Sequence, residues 1–72
     1  MGMGITAQTL ARVSEADPDK HEVLKKLWER SFGNNITTTQ VQQEITEAKL
    51  TDTGNKDIDF VISSIKLNIS SQ

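Results

Sequence analysis

The apolar residues between Ile36 and Ile69 recur at helical spacing on both sides of a polar break, and no other feature constrains the fold as much. Val41, Ile45 and Ala48 stand at i, i+4 and i+7, one face of a helix. Leu50 is followed by TDTGNKD, which holds one glycine and no apolar side chain. Ile58, Val61, Ile62, Ile65 and Ile69 then fall at i, i+3, i+4, i+7 and i+11, a second helical face. A helix with one apolar stripe gains little stability until that stripe is buried against other elements. These two helices therefore need each other and something more.

Start and stop signals sharpen the pattern. Thr37 and Gln40 form a T-x-x-Q capping box, and Ile36 and Val41 occupy staple positions. They predict a helix over 38–49, a loop over 50–56 and a helix over 56–68 capped by Asn55 or Asp57. Upstream, Asp17-Pro18-Asp19 marks another start. Asp17 can cap, Pro18 lacks only an N–H that the first helical position does not use, and Asp19 and Glu22 complement the positive helix end. Val23, Leu24, Leu27, Trp28 and Phe32 form the strongest apolar stripe, with Lys25, Lys26, Glu29 and Arg30 opposite. Gly33 is expected to end this helix in a left-handed cap, with Asn34 and Asn35 continuing the turn. The first helix, over 6–16, is the faintest: Thr6 is its expected cap, Ile5 and Leu10 its staple, and Leu10 and Val13 its apolar pair. Residues 1–4 and 69–72 are expected to be loose ends of one domain spanning 1–72.

Composition limits function. The chain has 72 residues, no cysteine and a net charge of −2. Residues 1–35 balance five basic against five acidic side chains, whereas residues 36–72 carry three against five. An acidic half is a poor footprint for nucleic acid and a suitable one for a basic protein partner. No apolar run approaches the roughly 18 residues that span a bilayer, so no membrane insertion is expected. The start MGMGITAQTL lacks the features of a signal peptide, and a cysteine-free chain fits a reducing, cytoplasmic setting. There is no second histidine beside His21, no glycine-rich phosphate loop and no zinc spacing. The expectation is a non-enzymatic chain with no catalytic residues, no metal and no cofactor. None of its serines follows the Asp and precedes the Leu that mark the prosthetic-arm site of a carrier protein.

VQQEITEAKLTDTGNKDIDF resembles the second EF-hand of a calmodulin-type lobe, and VLKKLWERSFGNNITTTQVQQEI resembles the exiting helix, linker and entering helix of that lobe. The resemblance covers about residues 20–65. It implies an all-α fold of four helices in two paired helix-loop-helix units. The loop departs from a calcium site, which needs oxygen ligands, a glycine at position six and a bidentate glutamate at twelve. With Ile58 at position eight, Thr51, Thr53 and Asn55 take one, three and five, Lys56 replaces the glycine and Ile62 the glutamate. Counting from the entering helix instead puts Lys49 first, two residues away. Asp59, at nine, is the one carboxylate in a ligand slot; Asp52 and Asp57 read as loop and cap residues.

Among calcium-dead members of the EF-hand superfamily, the myosin light chains are closest in kind. The resemblance implies a calcium-independent, cytoskeleton-associated light chain on a basic, amphipathic IQ-type helix of a myosin heavy chain. It would stiffen a lever arm. Leu24, Leu27, Trp28, Phe32, Val41, Ile45, Phe60 and Ile62 are the residues expected to form the groove for that helix, and Glu44, Glu47, Asp57 and Asp59 to meet its basic side chains. The alternatives are a small helical adaptor for another partner and a helix-turn-helix regulator.

Overall fold

A computed structural model describes residues 2–33 and 36–71, with only the backbone of residues 2 and 3. The turn expected at Asn34 and Asn35 lies outside the described residues. Four helices follow in order: α1 Gly2–Ala16, α2 Pro18–Arg30, α3 Thr38–Glu47 and α4 Lys56–Ser70. Among the described residues there is no strand. The Cα atoms fill 30 × 29 × 16 Å, a slab two helix layers thick.

The expected starts of α2, α3 and α4 are found. Asp17 caps α2 through the Lys20 N–H, with Pro18 at the first helical position. The Thr37 hydroxyl accepts from the Gln40 N–H at 3.2 Å while the Gln40 amide oxygen accepts from the Thr37 N–H at 2.8 Å. Ile36 and Val41 are both buried in the core. Asn55 caps α4, its side-chain oxygen accepting from the Asp57 and Ile58 N–H groups.

Three expectations change. α1 begins at Gly2, so Thr6 lies inside the helix and is buried, and Ile5 is exposed instead of stapled to Leu10. α2 ends at Ser31, a right-handed C-cap, before Gly33 is reached. α4 continues to Ser70, past the expected stop at 68. Ser31 takes over the role given to glycine because its hydroxyl donates to the Trp28 carbonyl and accepts from Asn68 Nδ2 at 2.8 Å. That pair ties the end of α2 to the last turn of α4.

α3 closes in a Schellman turn. The Leu50 N–H donates to the Ile45 carbonyl at 2.9 Å and the Lys49 N–H to the Thr46 carbonyl at 3.1 Å. Lys49 takes the left-handed conformation (φ 59°) that glycine usually supplies. Leu50, next in the motif, is fully buried and belongs to the same core as Ile45.

The core comprises Leu10 and Val13 of α1, Leu24 and Leu27 of α2, Val41 and Ile45 of α3, Ile58, Val61 and Ile65 of α4, with Ile36 and Leu50 from the joints. α4 touches all three other helices; its packing on α1 is the most extensive and its packing on α3 the slightest. Arg12, late in α1, pairs with Asp57 at the start of α4.

The joints do not have the form of EF-hand loops. α1 and α2 are separated by Asp17 alone, which leaves no span of chain to enclose a cation. Between α3 and α4, residues 48–55 lie outside helices, and Lys56 to Ile62 already belong to α4. The second half of the would-be twelve-residue loop is thus helix from its sixth position, where Lys56 stands in place of the turn glycine.

Candidate partner-binding site

The residues expected to line one groove are distributed over separate places. Leu24, Leu27, Val41 and Ile45 are at most 1% exposed. They are consumed by the core, which they close together with Leu10, Val13, Ile36, Leu50, Ile58, Val61 and Ile65, and they offer no surface in this conformation. Trp28 and Ile62 pack against the core from its edge, and Phe32 and Phe60 are exposed.

Trp28 and Phe32 make an edge-to-face pair with ring centroids 4.7 Å apart and planes at 77°. Such a pair adds about 0.5–1.5 kcal/mol beyond area burial. One turn of helix spacing produces it. Ile62 stands elsewhere, in a cleft of about 260 Å³ between α3 and α4 that Gln42, Ile45, Leu50, Asp59 and Lys66 also line. The Lys66 ammonium donates across this cleft to the Gln42 side-chain oxygen at 2.8 Å. Phe60 is two residues from Ile62 and so is turned well away from α3.

A larger cleft, of about 510 Å³, opens between α2 and α3 and is lined by Val23, Lys26, Glu29, Arg30, Gly33 and Glu44. At its rim Arg30 Nη1 donates to both oxygens of Glu44, at 3.1 and 2.9 Å. Both side chains are more than a third exposed, so the pair contributes at most about 1 kcal/mol and can exchange partners readily. Of the expected site residues only Glu44 lies here. Val23, at the margin of the α2 stripe, and Arg30, on its charged side, had no distinguishing signal in the sequence. The pairing of Arg30 with Glu44 depends on how α3 folds back, which local spacing does not encode.

The other expected acidic contacts divide in two. Asp57 accepts from Arg12 Nε and Nη2, each at 3.2 Å, and this carboxylate holds the Arg12 guanidinium above its ordinary pKa. Glu47 and Asp59 are exposed and form no ion pair with a described residue. The first turn of α4 carries both Asp57 and Asp59. They would face phosphates with like charge if α4 were a DNA-reading helix. No group of three or more His, Asp or Glu side chains among the described residues could hold a metal ion. No described helix is long and apolar enough to cross a membrane.

No protein-family model matches this chain, and neither does any curated protein or solved structure at a significant level.

Proposed function

We propose that this chain is a calcium-independent protein-binding module that receives an amphipathic, basic helix in the cleft between α2 and α3. The observation that carries the reading is the cleft with its exchangeable Arg30–Glu44 latch. A partner arginine can displace Arg30 and take Glu44 in the same two-oxygen geometry. Arg30 is then released to solvent. Val23 and the aliphatic stems of Lys26 and Arg30 supply apolar contact for the partner's other face. Glu47 and Asp59 add negative potential that steers a basic helix toward α3 and α4.

The light-chain resemblance names the ligand to try, an IQ-type helix of a myosin heavy chain. On this proposal the chain coats that helix as a single lobe, and calcium plays no part because the α1–α2 joint is one residue long and the α3–α4 joint has Lys56 and Ile62 where a calcium loop needs glycine and glutamate. The test is calorimetric titration of the folded chain with an IQ-motif peptide, in chelator and again with added Ca²⁺. Equal affinity in both is expected. Glu44→Gln should weaken binding about tenfold, as loss of a charge-assisted pair does, and Val23→Asp should weaken it further. Absence of heat with the peptide ends the light-chain reading. If Trp28→Ala weakens binding while Val23→Asp leaves it intact, the partner sits on the Trp28–Phe32 flank and not in the cleft.

A further inference from the structure

The solvent-facing side of α4 carries two large apolar side chains that no contact described so far uses. Phe60 and Leu67 are 42% and 71% exposed, the second being the most exposed large apolar side chain among the described residues. Seven residues separate them, so they lie two turns apart on one face, about 10 Å along the axis. Between them in the chain stand Ser63, which also borders the α3–α4 cleft, and Ser64, both small enough to let another helix approach closely. The Ser64 hydroxyl already donates to the Phe60 carbonyl at 3.0 Å and loses little if covered. Ile5, 51% exposed, stands two turns before Arg12 on the same face of α1.

The charges on this face are arranged as if for a reversed copy of itself. Lys56 occupies the first position of α4, where the helix dipole is positive and a cation is misplaced. It is exposed and forms no ion pair with a described residue. The last turn of α4 has no basic side chain to meet the negative end of the dipole. Positions 56 and 71, 60 and 67, and 63 and 64 are each symmetric about the point between Ser63 and Ser64. If a second α4 lies antiparallel across that point, each Phe60 meets the other Leu67, the serines meet at the crossing, and each Lys56 reaches the other helix's uncompensated C-terminus.

We infer that α4 pairs with α4 of a second copy of this chain, antiparallel and two-fold symmetric. A single helix face is narrower than the roughly 800 Å² per partner of a standard interface, so the dimer is weak and transient. A dissociation constant on the order of 100 µM is expected. The cleft between α2 and α3 stays free, because α3 and the Phe60–Leu67 strip meet different sides of α4.

The inference is tested by sedimentation equilibrium between about 10 µM and about 1 mM, the range that brackets such an affinity. The mean mass should rise from one chain toward two. Phe60→Asp and Leu67→Asp should each keep the mass at one chain with the helical circular dichroism unchanged, and Lys56→Glu should weaken the dimer about tenfold. The chain has no cysteine, so single cysteines report the geometry directly. Ser63→Cys should form a disulfide dimer under mild oxidation, and Lys56→Cys should not. A constant single-chain mass overturns the proposal. So does dimerisation that survives Phe60→Asp and Leu67→Asp, or oxidation in which Lys56→Cys links as readily as Ser63→Cys, as parallel packing would allow.

Discussion

α1 and α3 are held in the fold by opposite means. α1 has no acidic side chain in its first turn and no basic one in its last. What fixes it is breadth of contact: it packs on both α2 and α4, burying Thr6, Thr9, Leu10 and Val13, and Arg12 closes on Asp57. The Thr9 hydroxyl donates back to the Ile5 carbonyl at 2.8 Å, which lets a polar side chain face the interior without a lost hydrogen bond. α3 has ten residues and buries only Val41 and Ile45. Its outer face of Thr38, Thr39, Gln42, Gln43, Thr46 and Glu47 is polar throughout. Helices this short are marginal alone, and α3 compensates at its ends, with a capping box at Thr37 and a Schellman turn at Lys49. One helix is fixed by tertiary packing and the other by local chemistry.

The largest effect should come from the packed side. Ile65 is fully buried on α4, within the core shared with α1 and α2. Ile65→Ala removes three carbons and leaves a cavity, at a cost of about 3 kcal/mol. A domain of this length has roughly 4–10 kcal/mol in all. Chemical denaturation should show one transition at a much lower midpoint. If α3 alone melts in Ile65→Ala while α1 and α2 keep their amide protection, α4 does not organise the fold as described.

The end of α3 responds differently. Thr37→Ala removes the hydroxyl that accepts from the Gln40 N–H and should cost about 1 kcal/mol. Because α3 contacts the other helices least, the loss should be local. Hydrogen exchange should quicken for the amides of α3 and hardly at all for those of α1. Uniform acceleration across both helices would erase the distinction between them.

This contrast also explains which parts of the molecule were legible in the sequence. Caps are written in adjacent residues, so Asp17, Thr37 with Gln40, and Asn55 were readable, and with them the starts of three helices. The start of α1 was not, because nothing local marks it and the chain simply continues its helix to Gly2. Periodicity identified Leu24, Leu27, Val41 and Ile45 as apolar faces but could not say whether those faces meet a partner or one another; in a chain this small they meet one another. The Arg30–Glu44 latch joins residues fourteen apart on two helices whose angle is a tertiary property, and no spacing rule reports it. The four helices of the EF-hand outline are present, but their pairing into loop units does not follow from the joints. Asn55 caps α4 at Lys56, so helix begins at the sixth position of the would-be loop.

The C-terminal end of α3 offers a gain. Lys49 holds a left-handed φ of 59°, which costs a side-chain-bearing residue about 1 kcal/mol. Lys49→Gly removes that penalty, partly offset by the greater freedom of glycine in the unfolded chain. A net stabilisation of about 0.5 kcal/mol is expected, read as a raised denaturation midpoint with an unchanged slope. Destabilisation would mean that the Lys49 side chain contributes more than its backbone costs.

The smallest effect concerns the α1–α2 joint, where a single residue does what eight do between α3 and α4. The Asp17 carboxylate lies 2.7 Å from the Lys20 ammonium and accepts from the Lys20 N–H at 3.3 Å. The Lys20 side-chain bond, and then its backbone bond, lower the Asp17 pKa below the ordinary aspartate value. A carboxylate depressed on folding stabilises the folded state fully above its unfolded pKa, and that contribution fades as pH falls through the folded value. Melting temperature should therefore drop on acidification below about pH 4, the ordinary aspartate range. Asp17→Asn keeps a good neutral cap and removes the charge. The wild-type chain should melt slightly above this variant at neutral pH, and the two curves should converge in acid. A gap that persists unchanged at low pH would show that Asp17 acts only as a hydrogen-bond acceptor, leaving its charge without a part in turning α1 into α2.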